Sequence, residues 1–466
     1  MRILAALRSG PLAVRSFQLL TAGQFTSTIG DYCYAVALPW LVLSNHGSVI
    51  LLGTVLACYG VPRMVVIPVG GVLADKIGPR TVMLMADAAR CVLVAALAVL
   101  AARHTASLAS LGPVAALIGA GEGLFLPASF ALMPSLLNEE QLAAGNAIST
   151  AAVQAGSLLG PALGGALVAT TRASTWAFVI DAASFAVSAL TLALIPARAA
   201  SGSVAAAAEP AGANAEAGGS AGGATAASAE AAGSAGGAIG AGAGSEGVLA
   251  LLRRSRVLQV LLLVVIAANL ASGGEGDVAL PALAHARFGA GGYGALLACF
   301  AAGGVIGTLA AARTGGLRTP AIFATAMFLV DGTAIALTPY LGGETGAAAA
   351  LFVVGATNGL GNVTFLTVLQ KWAPPALLGR IMSAIFLCAF GTFPLSVAVA
   401  GVLVRHLGPA LFFPVAGVLV VVTMLVALTQ REFRTFGAAE RSGSDDGAAG
   451  PREEGAIVGD TRGRSA

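Results

Sequence analysis

The sequence predicts an all-α integral membrane protein with twelve transmembrane helices in two pseudo-symmetric bundles of six. Three observations lead to this fold class. Hydrophobic residues make up 57% of the 466 positions, and charged residues only 10%. Apolar runs of about 20 residues, long enough to cross a bilayer as a helix, recur along most of the chain. Short sequence motifs of the first half also recur in the second half.

The apolar runs define the predicted spans and their orientation. The spans cover residues 17–43, 49–74, 82–102, 112–133, 145–169, 174–195, 257–284, 291–312, 320–341, 347–370, 378–404 and 409–429. An even number of spans places both chain ends on one side. Up to residue 434, fifteen Lys and Arg residues fall on that side, and only Arg103, Arg172, Arg287 and Arg405 fall on the other. The positive-inside rule therefore predicts cytoplasmic termini, in the inner (plasma) membrane of the cell.

The spans and the segments between them predict five regions. Residues 1–16 form a cytoplasmic N-terminus, and residues 17–196 and 256–430 form the two six-helix bundles. Residues 197–255 are interpreted as a flexible cytoplasmic linker, since 38 of the 47 residues from 201 to 247 are Ala, Gly or Ser. Residues 431–466 are polar and Gly-rich, which predicts a disordered cytoplasmic tail.

Three pairs of similar short motifs, here called sequence echoes, indicate that the bundles are repeats. "ALP" occurs at residues 37–39 and 279–281, "LAC" plus an aromatic residue at 56–59 and 297–300, and "NAIS" at 146–149 resembles "RIMS" at 380–383. Each bundle has six spans, so both copies share one orientation. They are expected to pack around an axis along the membrane normal, with a cavity between them.

Composition and motifs argue against several other classes. The four histidines fall in four separate outer loops, and the five cysteines show no C-x-x-C spacing, so no metal site is expected. No G-x-x-x-x-G-K-[ST] motif is present. The net charge of +3 is scattered, which argues against a nucleic-acid partner. The sequence therefore predicts no enzyme and no cofactor, and we expect a monomer whose surroundings are lipid.

The stretch "GGVLADKIGPR" concentrates charge at a predicted cytoplasmic turn. Gly71 and Gly78 bracket the turn, where glycine permits backbone conformations that other residues resist. Asp75 can bind a helix N-terminus or pair with a base across the interface between the bundles. Lys76 and Arg80 either share that role or only anchor the membrane topology.

In span five, glycines recur every four residues at Gly156, Gly160 and Gly164. They share one helix face, where another backbone can approach closely. Pro161 removes one helical hydrogen bond, and Gly165 extends the small-residue surface. Ordinary close packing would also explain this pattern.

Several of these stretches resemble the major facilitator superfamily. "GGVLADKIGPR" is similar to its signature between the second and third helices, although Thr81 stands where a second basic residue often lies. "GSLLGPALGG" (156–165) is similar to a signature found mainly in its exporters. "GDYCYAVALPWLVL", "FVIDAASF" and "GRIMSAIF" resemble its macrolide-efflux and enterobactin-exporter branch, which consists of drug:proton antiporters. The resemblance covers about residues 17–430 except the linker, and it implies a cytoplasmic gate at the first stretch.

Charged residues inside the spans are candidates for function, because each costs about 2.5 to 3.5 kcal/mol at a helix centre. The spans contain seven acids and two bases: Asp31, Asp87, Glu122, Asp181, Glu275, Asp277 and Asp331, with Arg63 and Arg90. Asp87 and Arg90 lie three residues apart on one helix face, which predicts a local ion pair.

Asp31 and Glu122 are the strongest functional candidates. Both lie near the middle of helices one and four, which line the cavity in the superfamily that the chain resembles. A carboxyl group in such a cavity can exchange a proton as each side opens in turn. A static pair of Arg63 with Asp31 or with Glu122 is the alternative. Many proton-driven exporters of the superfamily carry an arginine in helix four, where this chain has Glu122.

The remaining acids have other expected roles. Asp181 is interpreted as structural. Glu275 and Asp277, near the outer end of span seven among glycines, are expected at a solvated mouth of the cavity. Asp331, in the middle of span nine, is not expected to reach it.

The function predicted from these features is secondary active export of a small amphiphilic molecule in exchange for protons. The substrate would be a drug, a secondary metabolite or a siderophore-like compound, moved by alternating access. The excess of acids over bases suits a cationic amphiphile, but the sequence does not identify the substrate. An importer or uniporter of a small solute is the main alternative, and a transport-inactive membrane sensor is another.

Overall fold

The computed structural model describes residues 10–46, 48–196, 256–311, 313, 319–372 and 375–430. In the first half, six long helices follow a short 3₁₀ turn at Pro11–Ala13: α1 Arg15–His46, α2 Val49–Ile77, α3 Pro79–Ala102, α4 Leu108–Leu136, α5 Glu139–Thr171 and α6 Thr175–Leu194. In the second half, α7 begins as Arg256–Gly274, continues through a π-helical turn at Glu275–Ala279 and ends as Leu280–Arg287. It is followed by α8 Gly289–Ala311, α9 Pro320–Leu337, α10 Gly343–Trp372, α11 Pro375–Leu407 and α12 Pro409–Thr429, with a 3₁₀ turn at Thr338–Tyr340 after α9.

Each predicted span coincides with one of these helices, but several helices are longer than predicted. The span at 145–169, for example, corresponds to α5 at Glu139–Thr171. Hydropathy marks only the part of a helix that lies in hydrocarbon, whereas the backbone hydrogen bonds continue into the polar interface. At the start of α5, the Asn138 amide donates to the Gln141 side-chain oxygen at 3.4 Å, which caps the extended end.

Eleven of the helices in the described part of the chain are long and apolar enough to cross a membrane by length and composition. The twelfth, α1, is 32 residues long. Its hydropathy is lowered by polar residues that include Thr26, Ser27, Thr28 and Asp31. It nevertheless packs along α5 and α6 like the other spans. The less apolar character of α1 reflects the polar cavity that it faces.

The pattern of helix contacts shows two bundles of the same design. In the first bundle, α1 packs on α5 and α6, α3 on α4 and α6, and α2 on α4. In the second bundle, α7 packs on α11 and α12, α9 on α10 and α12, and α8 on α10. Adding six to each helix number of the first set gives the second set. The predicted pseudo-symmetry is therefore present in the packing.

The two bundles meet through α5 against α8 and α2 against α11, which are also related by symmetry. Backbones of the two bundles approach closely where α5 and α11 end and where α2 and α8 begin. A Cβ on Gly53 would lie 3.3 Å from the Cα of Gly401, and one on Gly165 would lie 2.8 Å from the Cα of Gly294. The His285 Nε2 of α7 lies 3.4 Å from the Ser44 Oγ of α1. All these contacts are on the predicted outer side of the membrane.

Three predicted regions fall mainly or wholly outside the described residues. They are the N-terminus at 1–16, of which residues 1–9 are not described, the linker at 197–255 and the tail at 431–466. The domain bounds at 17–196 and 256–430, and the cytoplasmic location of the termini, stay predictions.

Candidate functional site

A cavity of about 820 Å³ lies between the two bundles. Helices α1 to α11 all contribute to its wall. It reaches from the middle of the helices toward the predicted cytoplasmic side, where Met133, Pro134 and Leu142 line it. Since the bundles touch on the opposite side, the cavity is closed toward the predicted exterior.

The wall of the cavity is rich in carboxyl groups. Six of the seven acids in the predicted spans line it together with both arginines: Asp31, Glu122, Asp181, Glu275, Asp277 and Asp331, with Arg63 and Arg90. The seventh acid, Asp87, lies behind the wall and is fully buried. Each charge is therefore either in the cavity or paired beside it, as the cost of placing charge in hydrocarbon requires.

Arg63 pairs with Glu122 across the α2–α4 contact. Their Nη2 and Oε1 atoms are 3.0 Å apart, and the side chains are 7% and 26% exposed. The Arg63 Cζ also lies 5.9 Å from the ring centroid of Tyr59 and 5.2 Å from that of Phe390. Of the two alternatives for a static pair, the structure forms the one with Glu122.

Two glycines on α4 bring this pair together. A Cβ on Gly123 would lie 2.6 Å from the Arg63 carbonyl oxygen, and a Cβ on Gly119 would collide with the Tyr59 carbonyl oxygen. The backbones of α2 and α4 therefore touch on both sides of the pair. This contact fixes the position of Arg63 relative to Glu122.

Asp31, in contrast, is exposed to the cavity. Its carboxyl group makes no ion pair with any residue in the described ranges. Asp31 is thus a carboxyl group in contact with cavity water that no neighbouring cation holds in place.

The predicted pair of Asp87 and Arg90 forms on α3. Arg90 Nη2 lies 2.5 Å from Asp87 Oδ1, and Ser188 Oγ donates to Asp87 Oδ2 at 2.6 Å. The Arg90 Cζ lies 4.6 Å from the ring centroid of Phe125 and 4.4 Å from that of Phe185. This network connects α3, α4 and α6 inside the first bundle. Its burial indicates a structural role.

The acids of the second bundle lie deeper than expected. Glu275 is 6% exposed and lies in the cavity wall with Asp277. The expectation that Glu275 lies in a solvated mouth is therefore wrong. Asp331 was not expected to reach the cavity, yet it lines the cavity and accepts a hydrogen bond from Thr357 Oγ1 at 3.3 Å. Sequence alone did not reveal the π-helical turn or the way that α9 packs against α10 and reaches the cavity.

The second bundle carries a neutral counterpart of Glu122. "GAGEGL" at 119–124 in α4 matches "GATNGL" at 355–360 in α10, a repeat in addition to the three sequence echoes above. Gly355 packs against the Phe300 carbonyl oxygen as Gly119 packs against that of Tyr59. Asn358 thus occupies the position of Glu122 and lines the cavity. The charged pair exists in the first bundle only, within the described part of the chain.

Comparison with known proteins decides the family. The sequence profile of the Major Facilitator Superfamily matches residues 20–396. The chain belongs to the Major Facilitator Superfamily. It is 25% identical over 424 residues to YfiS, an MFS-type transporter of Bacillus subtilis, and the match covers 89% of this chain and 93% of YfiS. The superfamily consists of transporters, so the chain is a multi-pass membrane transporter with a small-molecule substrate.

Two other relatives are named for drug efflux or drug resistance. The multidrug efflux pump Tap of Mycolicibacterium fortuitum is 31% identical over 169 residues, which are 35% of this chain and 40% of Tap. The putative multidrug resistance protein MdtD of Citrobacter koseri is 30% identical over 179 residues, or 38% and 37% of the two chains. These two matches span less than half of either relative.

Solved structures confirm the superfamily fold. A POT family transporter in complex with a thioalcohol-conjugated peptide superposes with a TM-score of 0.64 at 15% identity, covering 89% of this chain and 96% of that chain. A point mutant of the nucleoside transporter NupG superposes with a TM-score of 0.61 at 12% identity, covering 89% and 99%. At these identities, the similarity concerns the fold alone.

In this superfamily member, the predicted gate stretch forms the turn between α2 and α3. Gly78, with φ of +88°, ends α2 and is followed directly by Pro79, the first residue of α3. Only Gly78 needs the conformational freedom of glycine, because Gly71 lies inside α2 and a Cβ there would meet nothing within 4 Å. The expectation that Gly71 brackets the turn is therefore wrong.

The charges of the gate stretch have separate surroundings. Arg80 donates from Nε to the Leu192 carbonyl and from Nη2 to the Ala193 carbonyl, both at 2.8 Å, and so caps the end of α6. Asp75 and Lys76 are exposed. Neither forms an ion pair within the described part of the chain. In this conformation, the stretch holds α6 within its own bundle and makes no ion pair to the described residues of the other bundle.

The glycines of α5 divide between two partners. Cβ atoms on Gly156, Gly160 and Gly164 would lie 2.9, 2.5 and 2.9 Å from atoms of Thr28, Tyr32 and Cys33 on α1. Gly165 and the Pro161 carbonyl instead face Gly294 on α8, in the other bundle. The predicted close approach therefore takes place within the first bundle, and only the end of the pattern reaches the second.

We expect Gly294→Ala to separate the bundles on the predicted outer side, because the new Cβ would collide with the Pro161 carbonyl oxygen. Spin labels at Arg103 and Arg405, one on each bundle, should show a longer mean distance by electron–electron double resonance, with the five native cysteines replaced. Gly291→Ala is the matched control on the same helix, since its Cβ would meet only the Ala169 Cβ at an ordinary 3.5 Å. Equal distances in both variants would contradict the expectation.

Proposed function

We propose that this transporter exports a small amphiphilic molecule, such as a drug, a secondary metabolite or a siderophore-like compound, in exchange for protons. The observation that carries the proposal is the cavity between two symmetric bundles, which is closed on one side and lined by carboxyl groups. If both termini are cytoplasmic, the structure is the state that loads substrate from inside the cell. Rocking of the bundles would then present the same cavity to the exterior.

The direction of transport is inferred from two features. The α5 pattern from Gly156 to Gly165 resembles the exporter signature, and its last residues form the contact that closes the predicted outer side. Tap and MdtD, which match part of the chain, are named for multidrug efflux and multidrug resistance. Both features favour export over import.

We further propose that Asp31 and Glu122 exchange the protons, with Arg63 as the responding group. Asp31 meets cavity water without a pairing cation among the described residues, so it is free to bind a proton on one side of the membrane and release it on the other. Glu122 is held by Arg63, whose guanidinium also lies over Phe390 of α11. A proton on Glu122 would remove the charge that holds Arg63, and would change a contact between the bundles.

The decisive experiment is flux through the purified protein in liposomes. A panel of amphiphilic drugs is tested for counterflow, with and without an imposed pH gradient, against empty liposomes. We expect counterflow of at least one compound, and accumulation of that compound that follows the pH gradient. Flux that ignores the gradient would indicate a uniporter, and binding without flux would indicate a sensor; either result contradicts proton-coupled export.

A further inference from the structure

The π-helical turn of α7 places a buried carboxyl group in the cavity wall. Glu275 is 6% exposed, and its Oε1 has no hydrogen-bond partner among the described residues. An unpaired carboxylate is costly to bury, so this group must either hold a proton or receive a cation. Turns of the π type are common at functional sites. The observation therefore points to a ligand for Glu275.

The charge of the cavity wall is uneven between the bundles. The first bundle contributes three acids and two arginines to the wall, and the arginines pair with Glu122 and Asp87. Among described residues, the second bundle contributes Glu275, Asp277 and Asp331 to the wall and no Lys or Arg. Among the described residues, the wall acids without an ion-pair partner are therefore Asp31 and Asp181 in the first bundle and all three acids in the second, where no cation offsets them.

Several titratable side chains share the cavity wall with Glu275. The titratable side chains that line the cavity from its own turn and from α2, α8 and α9 are Asp277, Tyr59, Arg63, Tyr293 and Asp331. The α11 residues in the wall, Ala389, Phe390 and Phe393, carry no titratable group, and α12 contains none. The charged groups that share this wall with Glu275 are thus two acids and one base, Arg63, whose ion pair is with Glu122.

We propose that Glu275 binds the positive charge of a monovalent lipophilic organic cation, which displaces a proton from this carboxyl group. This inference rests on the proposed transport function and assigns the substrate's charged end to the second bundle. On binding, the O–H bond of the protonated Glu275 breaks, the proton passes to cavity water, and the carboxylate pairs with the cation. Tyr293, Phe300 and Phe393, which line the same wall, supply aromatic faces for the apolar and charged parts of the ligand.

The test uses tetraphenylphosphonium as the probe on the purified full-length protein. Binding is measured by calorimetry, and proton release by a pH indicator in weakly buffered solution. Wild-type protein should bind the probe with release of protons. Glu275→Gln should bind at least tenfold more weakly and lose the proton release, because the amide can neither ionise nor give up a proton. Glu275→Asp, which keeps the charge on a shorter side chain, should retain part of both.

Two controls make the outcome specific to this carboxyl group. Glu344→Gln removes an exposed acid at the start of α10, outside the cavity wall, and should change neither reading. Tetraphenylborate, an anion of the same shape, should not compete with the probe. Thermal unfolding of each variant verifies that it is folded.

Failure of this site and failure of the proposed transport function give different results. No probe binding by wild-type protein, or wild-type affinity in folded Glu275→Gln, overturns the site while counterflow of other compounds can persist. Probe binding that depends on Glu275 supports the site even if liposomes show no counterflow, in which case only the transport proposal fails.

Discussion

Replacing Asp31 with asparagine is expected to abolish accumulation driven by a pH gradient while substrate exchange continues. Each pH unit is worth about 1.4 kcal/mol, or a factor of ten, per proton exchanged. A gradient of two units can therefore drive up to about a hundredfold accumulation when charge balances. With asparagine at position 31, the proton is no longer carried, and accumulation should fall to the equilibrium ratio of one.

The surroundings of Asp31 make this substitution informative. Its carboxyl group is exposed to the cavity and has no ion-pair partner among the described residues, so asparagine leaves no orphaned cation behind. Asparagine also has nearly the same shape and retains hydrogen bonding to water. Folding and substrate exchange should therefore survive, and a loss confined to the gradient-driven reading would identify a proton carrier.

Measuring Glu122→Gln in parallel shows which of the two residues, Asp31 or Glu122, carries the proton. If only Glu122→Gln loses the response to the gradient, Glu122 alone carries the proton. Gradient-driven accumulation at the wild-type level in both variants would show that the assignment is wrong. Glu344→Gln, which removes an acid outside the cavity wall, is the matched control and should behave as wild type.

The helices and their repeat could be predicted because the bilayer imposes a strong constraint on sequence. Every span must satisfy its backbone hydrogen bonds internally and present an apolar surface, which leaves a readable run of residues. The pair of Asp87 and Arg90 could also be predicted from sequence, since residues three apart share a helix face. Local spacing and composition were sufficient for these features.

The choice of partner for Arg63 could not be made from sequence. Asp31, Glu122 and Arg63 lie on three different helices, and only the close approach of α2 and α4 at Gly119 and Gly123 brings two of them within 3.0 Å. The repeat "GAGEGL" and "GATNGL" was visible in the sequence, and a comparison of α4 with α10 would have identified Asn358 as the counterpart of Glu122 in the second bundle.

The position of Glu275 depends on an irregularity that leaves little trace in the sequence. One extra residue in a helical turn rotates the chain that follows by about 100°. Glycines at 273, 274 and 276 suggested a hydrated segment, but a Cβ on Gly274 would lie within 3 Å of Ala400 and Phe412. Gly273 and Gly274 serve close packing on this side of α7, whereas a Cβ on Gly276 would meet nothing within 4 Å. Glu275 is consequently buried in the wall instead of lying in an open mouth.

Removing the carboxyl group of Asp87 is expected to destabilise the protein more than any other single change considered. In Asp87→Ala, the Arg90 guanidinium stays buried at 4% exposure, between the rings of Phe125 and Phe185, without its charge partner. Breaking a buried ion pair from one side typically costs about 3–5 kcal/mol. That is a large part of the total stability of a typical domain, about 5–15 kcal/mol. Denaturant unfolding in detergent should show the loss.

The double variant distinguishes an orphaned charge from a simple loss of packing. Asp87→Ala combined with Arg90→Met removes both charges and keeps an apolar side chain between the aromatic rings, so it should recover most of the lost stability. Ser188→Ala, which deletes only the hydroxyl that donates to Asp87 at 2.6 Å, should cost no more than about 1–3 kcal/mol. If Asp87→Ala is as stable as wild type, the network around Asp87 and Arg90 does not hold α3 and α6 together. If the double variant is no more stable than the single one, the cost arises from the cavity left by the side chain and not from the unpaired charge of Arg90.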